Sequence, residues 1–276
     1  MRTALVSAGV ILALALLAGC RDGEAPVRVR LAAEEESLVP GRFSNLGVHV
    51  RLAKGWHTYW KGRSDSGAPL EILVDGPEAS VIGDMLWPSP ERLVSPGEIL
   101  DHVYQDEFLV IVPVRLPLSF SPGDSAEVRC EVKWVACREA CLAGSTRASL
   151  ALPVTGGLKT PSPSADADLF RRALLTIPVP LPDSAGAVRT GWEEDRFVVR
   201  GGDEDRMAFY PAADCGELVD PIADAVSDRG RLTLRFRGTE SGVGPARGVI
   251  EMSNNDRGRV AFYELNVPHP DSRASE

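Results

Sequence analysis

The chain has 276 residues, with 30 lysines and arginines against 39 aspartates and glutamates, so its formal net charge is −9. This acidic balance argues against nucleic-acid binding through bulk charge. The length suffices for one large hydrophobic core or two smaller ones, and 26 glycines with 21 prolines indicate many short strands and turns.

The first residues, MRTALVSAGVILALALLAGC, have the layout of a secretory signal: one arginine, then an apolar run, then small residues. The apolar run is too short for a comfortable membrane span. Leu17 to Cys20 resemble the lipobox of bacterial lipoproteins, in which the cysteine carries the lipid; the alternatives are an ordinary signal peptide or a poor membrane anchor. We therefore expect a signal peptide over residues 1–19, lipidation at Cys20 and a tether over residues 20–27.

Alternating apolar and polar residues begin at Val27 in VRVRL and return at Val48 in VHVRL, and FLVIVPVRLPL is a more continuous apolar run. These patterns are typical of half-buried and buried strands separated by turns. Because no helical period is sustained as far as Val154, we predict an antiparallel β-sandwich over residues 28–154.

Small and polar residues in TGGLKTPSPSADAD indicate a linker, which we place at residues 155–187. Within it, LFRRAL from Leu169 has the spacing of one short amphipathic helix. Strand signals return in RFVVR, RLTLRFR and RVAFYELN, so we predict a second, smaller β domain over residues 188–267 and a loose tail over residues 268–276. The predicted fold class is therefore all-β, with one short helix in the connection.

Four cysteines remain besides Cys20, and export to an oxidising compartment makes disulfide chemistry the first interpretation to test. In AEVRCEVKWVAC, Cys130 shares a strand face with apolar neighbours, so we expect a buried core thiol. The later segment ending in LALPV alternates again. This places Cys137 and Cys141 in the loop between two adjacent antiparallel strands.

The pair Cys137 and Cys141 admits three interpretations: a structural staple, a metal clip or an exchanging dithiol. A bridge between them is worth about 2 kcal/mol in the chain-entropy model, whereas a bridge from either to Cys215 would give about 4.5 kcal/mol. A metal would need further ligands, yet Cys130 is expected to point into the core and Cys215 lies in the second domain. Short-loop disulfides are often easily reduced, as a relay requires, but the spacing alone leaves staple and relay open.

Three segments occur in a fixed order: GWHTYWKGRSDSGAPLEI from Gly55, WPSPERL from Trp87 and VKWVACREAC from Val132. Together they resemble the periplasmic N-terminal region of the DsbD/ScsB family of thiol:disulfide interchange proteins, over residues 28–154. The later GRLTLRFRG and RGVIEM resemble the second β portion of the longer, ScsB-like members.

The resemblance implies that the first domain is an immunoglobulin-like sandwich whose two cysteines pass electrons from a thioredoxin-like domain to oxidised exported proteins. Cys137 and Cys141 match this pair by position, and they are the catalytic residues we expect. Family members shield the pair with a cap loop, whose counterpart here is SPGEILDHVYQDE. Glu98, Ile99 and Tyr104 are the candidates to cover the sulfurs.

Other residues near the pair are candidates for tuning its reactivity. Arg138 and Glu139 lie between the cysteines, where Arg138 would favour the thiolate and Glu139 would oppose it, although we favour solvated loop charges as the explanation of both. Trp134 is a further candidate, just before Cys137. The aromatic cluster in GWHTYW favours core and cross-strand packing over a ligand cage.

Three features depart from the family pattern. The cysteines have three intervening residues, as in ScsB-like members, and not the five of DsbD. The proline common after the second cysteine is replaced by Leu142 and Ala143, and the chain ends before any membrane-spanning or thioredoxin-like part. We therefore expect a thioredoxin-like or membrane-embedded electron donor in trans, exported disulfide-containing proteins as clients, membrane contact through the lipid anchor alone, and no nucleic acid.

The leading hypothesis is an envelope thiol:disulfide interchange module, lipid-anchored on the periplasmic side of a bacterial membrane, that needs no metal or organic cofactor. Two alternatives stay open. One is a non-catalytic binding or docking lipoprotein with a static disulfide. The other is a metal-handling envelope protein connected with copper tolerance, an association that the resemblance to ScsB implies.

Overall fold

The computed structural model describes residues 25–157, 160–181, 188–201, 206–227, 230–239, 242–254 and 259–271 of the protein. The predicted signal peptide and the lipidation at Cys20 lie outside these residues, as does most of the predicted tether. Strands dominate the described part, and the expected all-β class with a helix in the connection is confirmed. Among these residues, no helix combines the length and apolar character needed to cross a membrane.

Two sheets form the first β domain. Their strands are β1 (Val27–Ala33), β2 (Phe43–Leu52), β3 (His57–Tyr59), β4 (Glu71–Asp75), β5 (Val81–Ile82), β6 (Glu91–Ser95), β7 (Ile99–Gln105), β8 (Glu107–Arg115), β9 (Ser125–Cys137) and β10 (Cys141–Pro153). One sheet has the order β1-β2-β8-β5; the other has the order β10-β9-β3-β7-β6, with β4 also paired to β9. Fully buried side chains of both sheets, such as Val110 and Val132, form the core. This is the antiparallel sandwich that the alternating sequence predicts.

Strand β9 shows how alternation builds the sandwich. Val128, Cys130 and Val132 are buried in the core, whereas Arg129 and Lys133 on the other face are exposed. Cys130 is a free thiol and is 4% exposed, so the predicted core thiol is confirmed. Burial raises the pKa of the Cys130 thiol, which keeps it protonated and unreactive at neutral pH.

The connection after the first domain contains helix α1 (Ala167–Leu174). Phe170 and Ala173 are buried against Leu109 and other apolar side chains, so the helix covers the outer face of the sheet containing β8. Gly47 makes room for this contact, because a Cβ there would lie 3.0 Å from the ring of Phe170. The predicted amphipathic helix is therefore confirmed, and its apolar face packs on the sandwich.

In the part of the chain that the structure describes, two further sheets and a short hairpin form the second β domain. Its strands are β11 (Val179–Pro180), β12 (Arg189–Glu193), β13 (Arg196–Arg200), β14 (Arg206–Pro211), β15 (Val226–Ser227), β16 (Arg231–Arg235), β17 (Gly238–Thr239), β18 (Gly242–Val243), β19 (Ala246–Asn254) and β20 (Arg259–Val267). The sheet orders are β11-β20-β19-β14-β15 and β12-β13-β16, and β17 pairs with β18. Phe197, Phe209 and Phe236 form its core. Strand β11 lies within the residues expected to be linker.

The two β domains pack against each other. Tyr210 of β14 and Val249 of β19 are buried in the same hydrophobic cluster as the core of the first domain. Polar contacts add to this interface, because Arg63 and Arg92 of the first domain both donate hydrogen bonds to backbone carbonyls of the second domain. The second domain therefore contacts the segment that follows β3.

Candidate functional site

The disulfide joins the end of β9 to the start of β10. Cys137 and Cys141 are opposite each other in the antiparallel register, and their sulfurs are bonded. The three residues between them form the turn of this hairpin. The predicted placement of the pair between two adjacent antiparallel strands is confirmed, and long flanking strands hold both cysteines in position.

The two cysteines differ in their exposure. Cys141 is exposed to solvent, whereas Cys137 is 5% exposed. Cys137 is on the face of β9 opposite Cys130, so it lies outside the sandwich core and packs in a small cluster with Tyr59 and Val103. The pair therefore offers one sulfur to a partner and shields the other.

Tyr59 of β3 holds the shielded sulfur. Its hydroxyl donates a hydrogen bond to Cys137 Sγ at 3.1 Å, and its side chain is almost fully buried. The contact arises because His57 is the register partner of Cys137, so Tyr59, two residues along β3, projects from the same face. A hydroxyl donor stabilises an anion, so this contact favours the thiolate of Cys137 when the disulfide is reduced.

A loop between β3 and β4, residues 61–69, covers Tyr59; we refer to it as the cover loop. Gly67 has a φ of +66°, a backbone conformation that favours glycine, and a Cβ there would lie 2.1 Å from the Tyr59 ring. Both the backbone conformation and the lack of space for a side chain therefore require glycine. The loop returns to its starting point, since the Leu70 amide donates to the Tyr59 carbonyl at 3.4 Å. The cover loop thereby fixes the ring that reaches Cys137.

A chain of polar contacts continues from Tyr59 to a buried carboxylate. The Tyr59 hydroxyl lies 3.3 Å from Ser66 Oγ, and Ser66 donates to Asp101 through its hydroxyl at 2.6 Å and its amide at 2.8 Å. Asp101 is 3% exposed. Because the carboxylate takes the Ser66 hydrogen, the Tyr59 hydrogen is left for Cys137, and a thiolate there is a stronger acceptor than a neutral hydroxyl.

His57 lies beside the disulfide in the sheet. It pairs with Cys137 across the strands, and its ring meets the Tyr59 ring edge-on at 5.6 Å between centroids. Burial lowers the pKa of His57, and the negative charge of Asp101 opposes this shift. The imidazole next to the disulfide is therefore neutral at neutral pH.

The turn residues expected to tune the pair both face solvent. The Arg138 guanidinium lies over the Trp56 ring, 5.3 Å from its centroid, and Glu139 is exposed. A cation held on an aromatic face in this way is a stable surface arrangement. These positions agree with the interpretation of both residues as loop charges, and Arg138 contacts Trp56.

The residues expected to cap the sulfurs lie elsewhere. Glu98 and Ile99 are at the turn between β6 and β7, where Ile99 pairs with Ser95. The β7 residue aligned with His57, and through it with Cys137, is Gln105. The distance from position 99 to position 105 along a strand is roughly 20 Å. The structure places this turn away from the disulfide, and the cover loop supplies the shielding.

Tyr104 and Trp134 both face the sandwich core, on the opposite side of the sheet from Cys137. Tyr104 stacks on Phe108 and donates to the Pro88 carbonyl at 2.7 Å, and complete burial raises the pKa of its hydroxyl. Trp134 donates through Nε1 to Thr146 Oγ1 at 3.2 Å. The structure therefore does not bring either ring to the sulfurs.

The residues that do reach Cys137 were not identified from the sequence. Tyr59, Ser66 and Gly67 lie in GWHTYWKGRSDSG, the segment that carries much of the family resemblance, and there Tyr59 was assigned to packing. Asp101 lies in SPGEILDHVYQDE, the segment assigned to the cap, but nothing in the sequence indicates its contact with Ser66. Within the described segments, no group of three or more His, Cys, Asp or Glu side chains is placed to hold a metal ion.

Comparisons with known proteins bear on this site. A family model described as the N-terminal region of the thiol:disulfide interchange protein DsbD matches residues 28–153. The N-terminal periplasmic domain of ScsB from Proteus mirabilis aligns with 89% of this chain and 95% of its own, at 16% identity and a TM-score of 0.54. The N-terminal domain of DsbD from Neisseria meningitidis, in its reduced form, aligns with 46% of this chain and 86% of its own, at 16% identity and a TM-score of 0.29. A comparison with curated protein sequences gives no match.

The ScsB alignment shows a shared fold that extends over both β domains. The family match has a narrower range, and that range contains both cysteines, the cover loop and Tyr59. Residues 28–153 of this chain therefore form a domain that belongs to the N-terminal domain family of the thiol:disulfide interchange protein DsbD.

Proposed function

We propose that this protein is an envelope thiol:disulfide interchange module, which passes two electrons from a thioredoxin-like donor to exported client proteins through Cys137 and Cys141. The observation that carries the proposal is the asymmetry of the pair: one sulfur is exposed, and its partner is buried beneath Tyr59. An attacking sulfur must be reached by another protein, whereas a resolving sulfur needs only to reach its neighbour.

In the reduced protein, Cys141 is the nucleophile. Its thiolate attacks a client disulfide, a mixed disulfide forms, and one client thiolate leaves. The Cys137 thiolate then attacks the Cys141 sulfur, which re-forms the intramolecular disulfide and expels the second client thiolate. Two electrons pass to the client, and the two protons released by the protein thiols end on the client thiols.

Tyr59 acts in the second half of this cycle. Its hydrogen bond raises the thiolate fraction of Cys137, so resolution of the mixed disulfide is faster than with an unassisted buried thiol. The cover loop keeps other proteins from Cys137, so mixed disulfides form on Cys141. A dithiol of the thioredoxin class regenerates the pair by the reverse attack on the same exposed sulfur.

The location proposed for this reaction is the periplasmic side of a bacterial membrane. The signal-like first residues and Cys20 support export and lipid attachment. The ScsB structure with the same fold is described as periplasmic. A lipid anchor on Cys20 would keep the exchange site near membrane-bound electron donors.

Single-cysteine variants test the proposal. After incubation with a peptide that contains one disulfide, Cys137→Ala accumulates a mixed disulfide on Cys141, because its resolving sulfur is absent. Cys141→Ala forms an adduct about tenfold more slowly, because Cys137 is buried. Cys130→Ala serves as the control and still turns over. Absence of adducts in both variants, with a strongly negative reduction potential for the pair, would support the static-disulfide alternative.

A further inference from the structure

The cover loop is anchored to the second β domain as well as to the first. Arg63 donates through Nε to the Ala213 carbonyl at 3.4 Å, through Nη1 to the Gly216 carbonyl at 3.4 Å, and through Nη2 to the Cys215 carbonyl. Its amide also donates to the Pro211 carbonyl at 2.9 Å. Both the backbone and the side chain of this loop residue are therefore bonded to the second domain.

The two backbones approach closely at this point. A Cβ on Gly62 would lie 2.5 Å from the Pro211 carbonyl oxygen and 1.9 Å from the Trp60 ring. Only a residue without a side chain fits there. The approach places Arg63 where its planar guanidinium can reach several carbonyls at once, which a flexible ammonium group cannot do.

The residues that follow Arg63 lead to the part of the cover loop that contacts Tyr59. Ser64 Oγ accepts from the His102 amide at 3.0 Å, and Asp65 accepts from the Leu100 amide at 2.7 Å. Ser66 and Gly67 follow at once, and these are the residues that contact Tyr59. A displacement of the loop at position 63 therefore reaches the Tyr59 ring within three or four residues.

We propose that the second β domain positions the cover loop through Arg63, and so holds the Tyr59 hydroxyl on Cys137. Arg63 is then a positioning residue for the exchange reaction, and the second domain sets the reactivity of a cysteine in the first. This inference rests on the proposed function for its role in exchange. Its physical content, which is the environment of Cys137, can be measured without any client.

Arg92 provides a matched control. It lies on β6, and it donates to the Pro221 carbonyl at 3.2 Å and to the Ile222 carbonyl at 2.9 Å. It therefore makes the same kind of contact with the same domain, but it is not part of the cover loop. If domain docking alone mattered, loss of either arginine would have the same effect on Cys137.

The experiment measures alkylation of Cys137 by iodoacetamide over a pH series, site by site, by mass spectrometry of the full chain carrying Cys141→Ser. We expect Arg63→Met to raise the apparent pKa of the Cys137 thiol by up to about one unit and to increase its limiting alkylation rate several-fold. Tyr59→Phe reproduces the pKa shift, and in the double variant Arg63→Met adds no further shift. Arg92→Met leaves both quantities unchanged.

Arg63→Met and Arg92→Met each remove one positive charge, so a shift that Arg63→Met produces and Arg92→Met does not produce reports the position of Tyr59. The titratable and charged groups beside Cys137 and Tyr59, in the turn and in the cover loop are His57, Tyr59, Lys61, Arg63, Asp65, Glu91, Asp101, Arg138 and Glu139. Further along the same face of the sheet lie Glu71, Asp75, Glu127, Arg129, Glu131, Lys133 and Arg147. Where Arg63→Met does not fold, Arg63→Lys keeps the positive charge and a donor group that can reach fewer of the three carbonyls, and it is expected to show a smaller shift in the same direction.

Equal effects of Arg63→Met and Arg92→Met, or no effect of either, would overturn the inference. Failure of the proposed function gives a different pattern: no mixed disulfide is trapped on Cys141, whereas the alkylation of Cys137 still responds to Arg63. The two outcomes are therefore distinguishable.

Discussion

The hydroxyl of Tyr59 donates a hydrogen bond to Cys137 Sγ across 3.1 Å, between residues that are 78 positions apart in the sequence. This contact joins GWHTYW and VKWVAC, two segments that carry the resemblance to the DsbD/ScsB family. Neither the hydrophobic pattern nor the spacing of residues in the sequence predicts that these segments meet. It also gives the buried cysteine a donor that a purely structural disulfide does not need. The contact is therefore the natural target for the first substitution.

Tyr59→Phe removes the donor and keeps the ring beneath the cover loop. A hydrogen bond of this kind has a net worth of about 1 kcal/mol, which corresponds to a rise of about 0.7 unit in the pKa of the reduced Cys137 thiol. The measurement is the pH dependence of Cys137 alkylation. Tyr104→Phe is the control, because it deletes a buried hydroxyl on the opposite face and should leave Cys137 unaffected. A similar shift in both variants would contradict a specific contact.

Gly67→Ala tests the cover loop. The new methyl group would meet the Tyr59 ring, and the residue would also keep an unfavourable positive φ. We expect a loss of about 2–4 kcal/mol in the free energy of unfolding, measured by urea denaturation, since both backbone strain and overpacking contribute. Gly97→Ala has a φ of +90° and no atom within 4 Å of its Cβ, so it shows the backbone cost alone. Equal losses of unfolding free energy in the two variants would mean that the Tyr59 ring moves away from the new methyl group at no cost.

Much of the first domain follows from local sequence. The alternation in AEVRCEVKWVAC predicts both the strand and the burial of Cys130, because one face of a two-residue repeat must be apolar to cover a core. The same reasoning places Cys137 and Cys141 at the end of a hairpin. These predictions succeed because they concern neighbours in the sequence or strands joined by a short turn.

The environment of Cys137 was not predictable in this way. Strand β3 is only three residues long, and its pairing with the end of β9 joins distant segments without a local signal. Counting back from VIVPV in β8 predicts the cap in SPGEILDHVYQDE, with Ile99 near the sulfurs, but the direction of β7 carries the turn at Ile99 away from the disulfide. Pairing between strands that are far apart in the sequence determines which loop covers a site. Such pairing leaves no local pattern that can be recognised in a single sequence.

Lowered pKa values of three buried or half-buried histidines predict that the stability of the protein is sensitive to acid. Burial lowers the pKa of His102 at the domain interface, and the hydrogen bond from its Nδ1 to the Arg63 carbonyl at 2.5 Å opposes the shift. The unfolded chain therefore binds a proton near pH 6.5, whereas the folded protein resists it until a lower pH. The free energy of unfolding should fall as the pH drops below about 6.5, and burial of His49 and His57 adds to this slope.

His102→Asn isolates the contribution of one histidine to that slope. The asparagine amide keeps a donor for the Arg63 carbonyl and removes the titrating ring, so the variant should lose less stability than the parent over the same acidic range. Urea denaturation at a series of pH values gives the slope of the unfolding free energy against pH for the parent and for the variant. The two slopes should differ by up to about 1.4 kcal/mol per pH unit, the value for one proton. An identical slope in parent and variant would show that His102 does not titrate differently on folding.

Reduction of the disulfide distinguishes an exchanging pair from a staple. The bridge closes a very short loop, and β9 and β10 are already joined by a long antiparallel register from Ser125 to Cys137, so we expect the fold not to depend on the bridge. We expect reduction to lower the free energy of unfolding by about 2 kcal/mol and to leave the protein folded. The measurement is urea denaturation with and without a reductant, and a variant carrying Cys137→Ala and Cys141→Ala should not respond. Unfolding on reduction would show that the bridge is a staple, because an exchange module must be stable in both redox states.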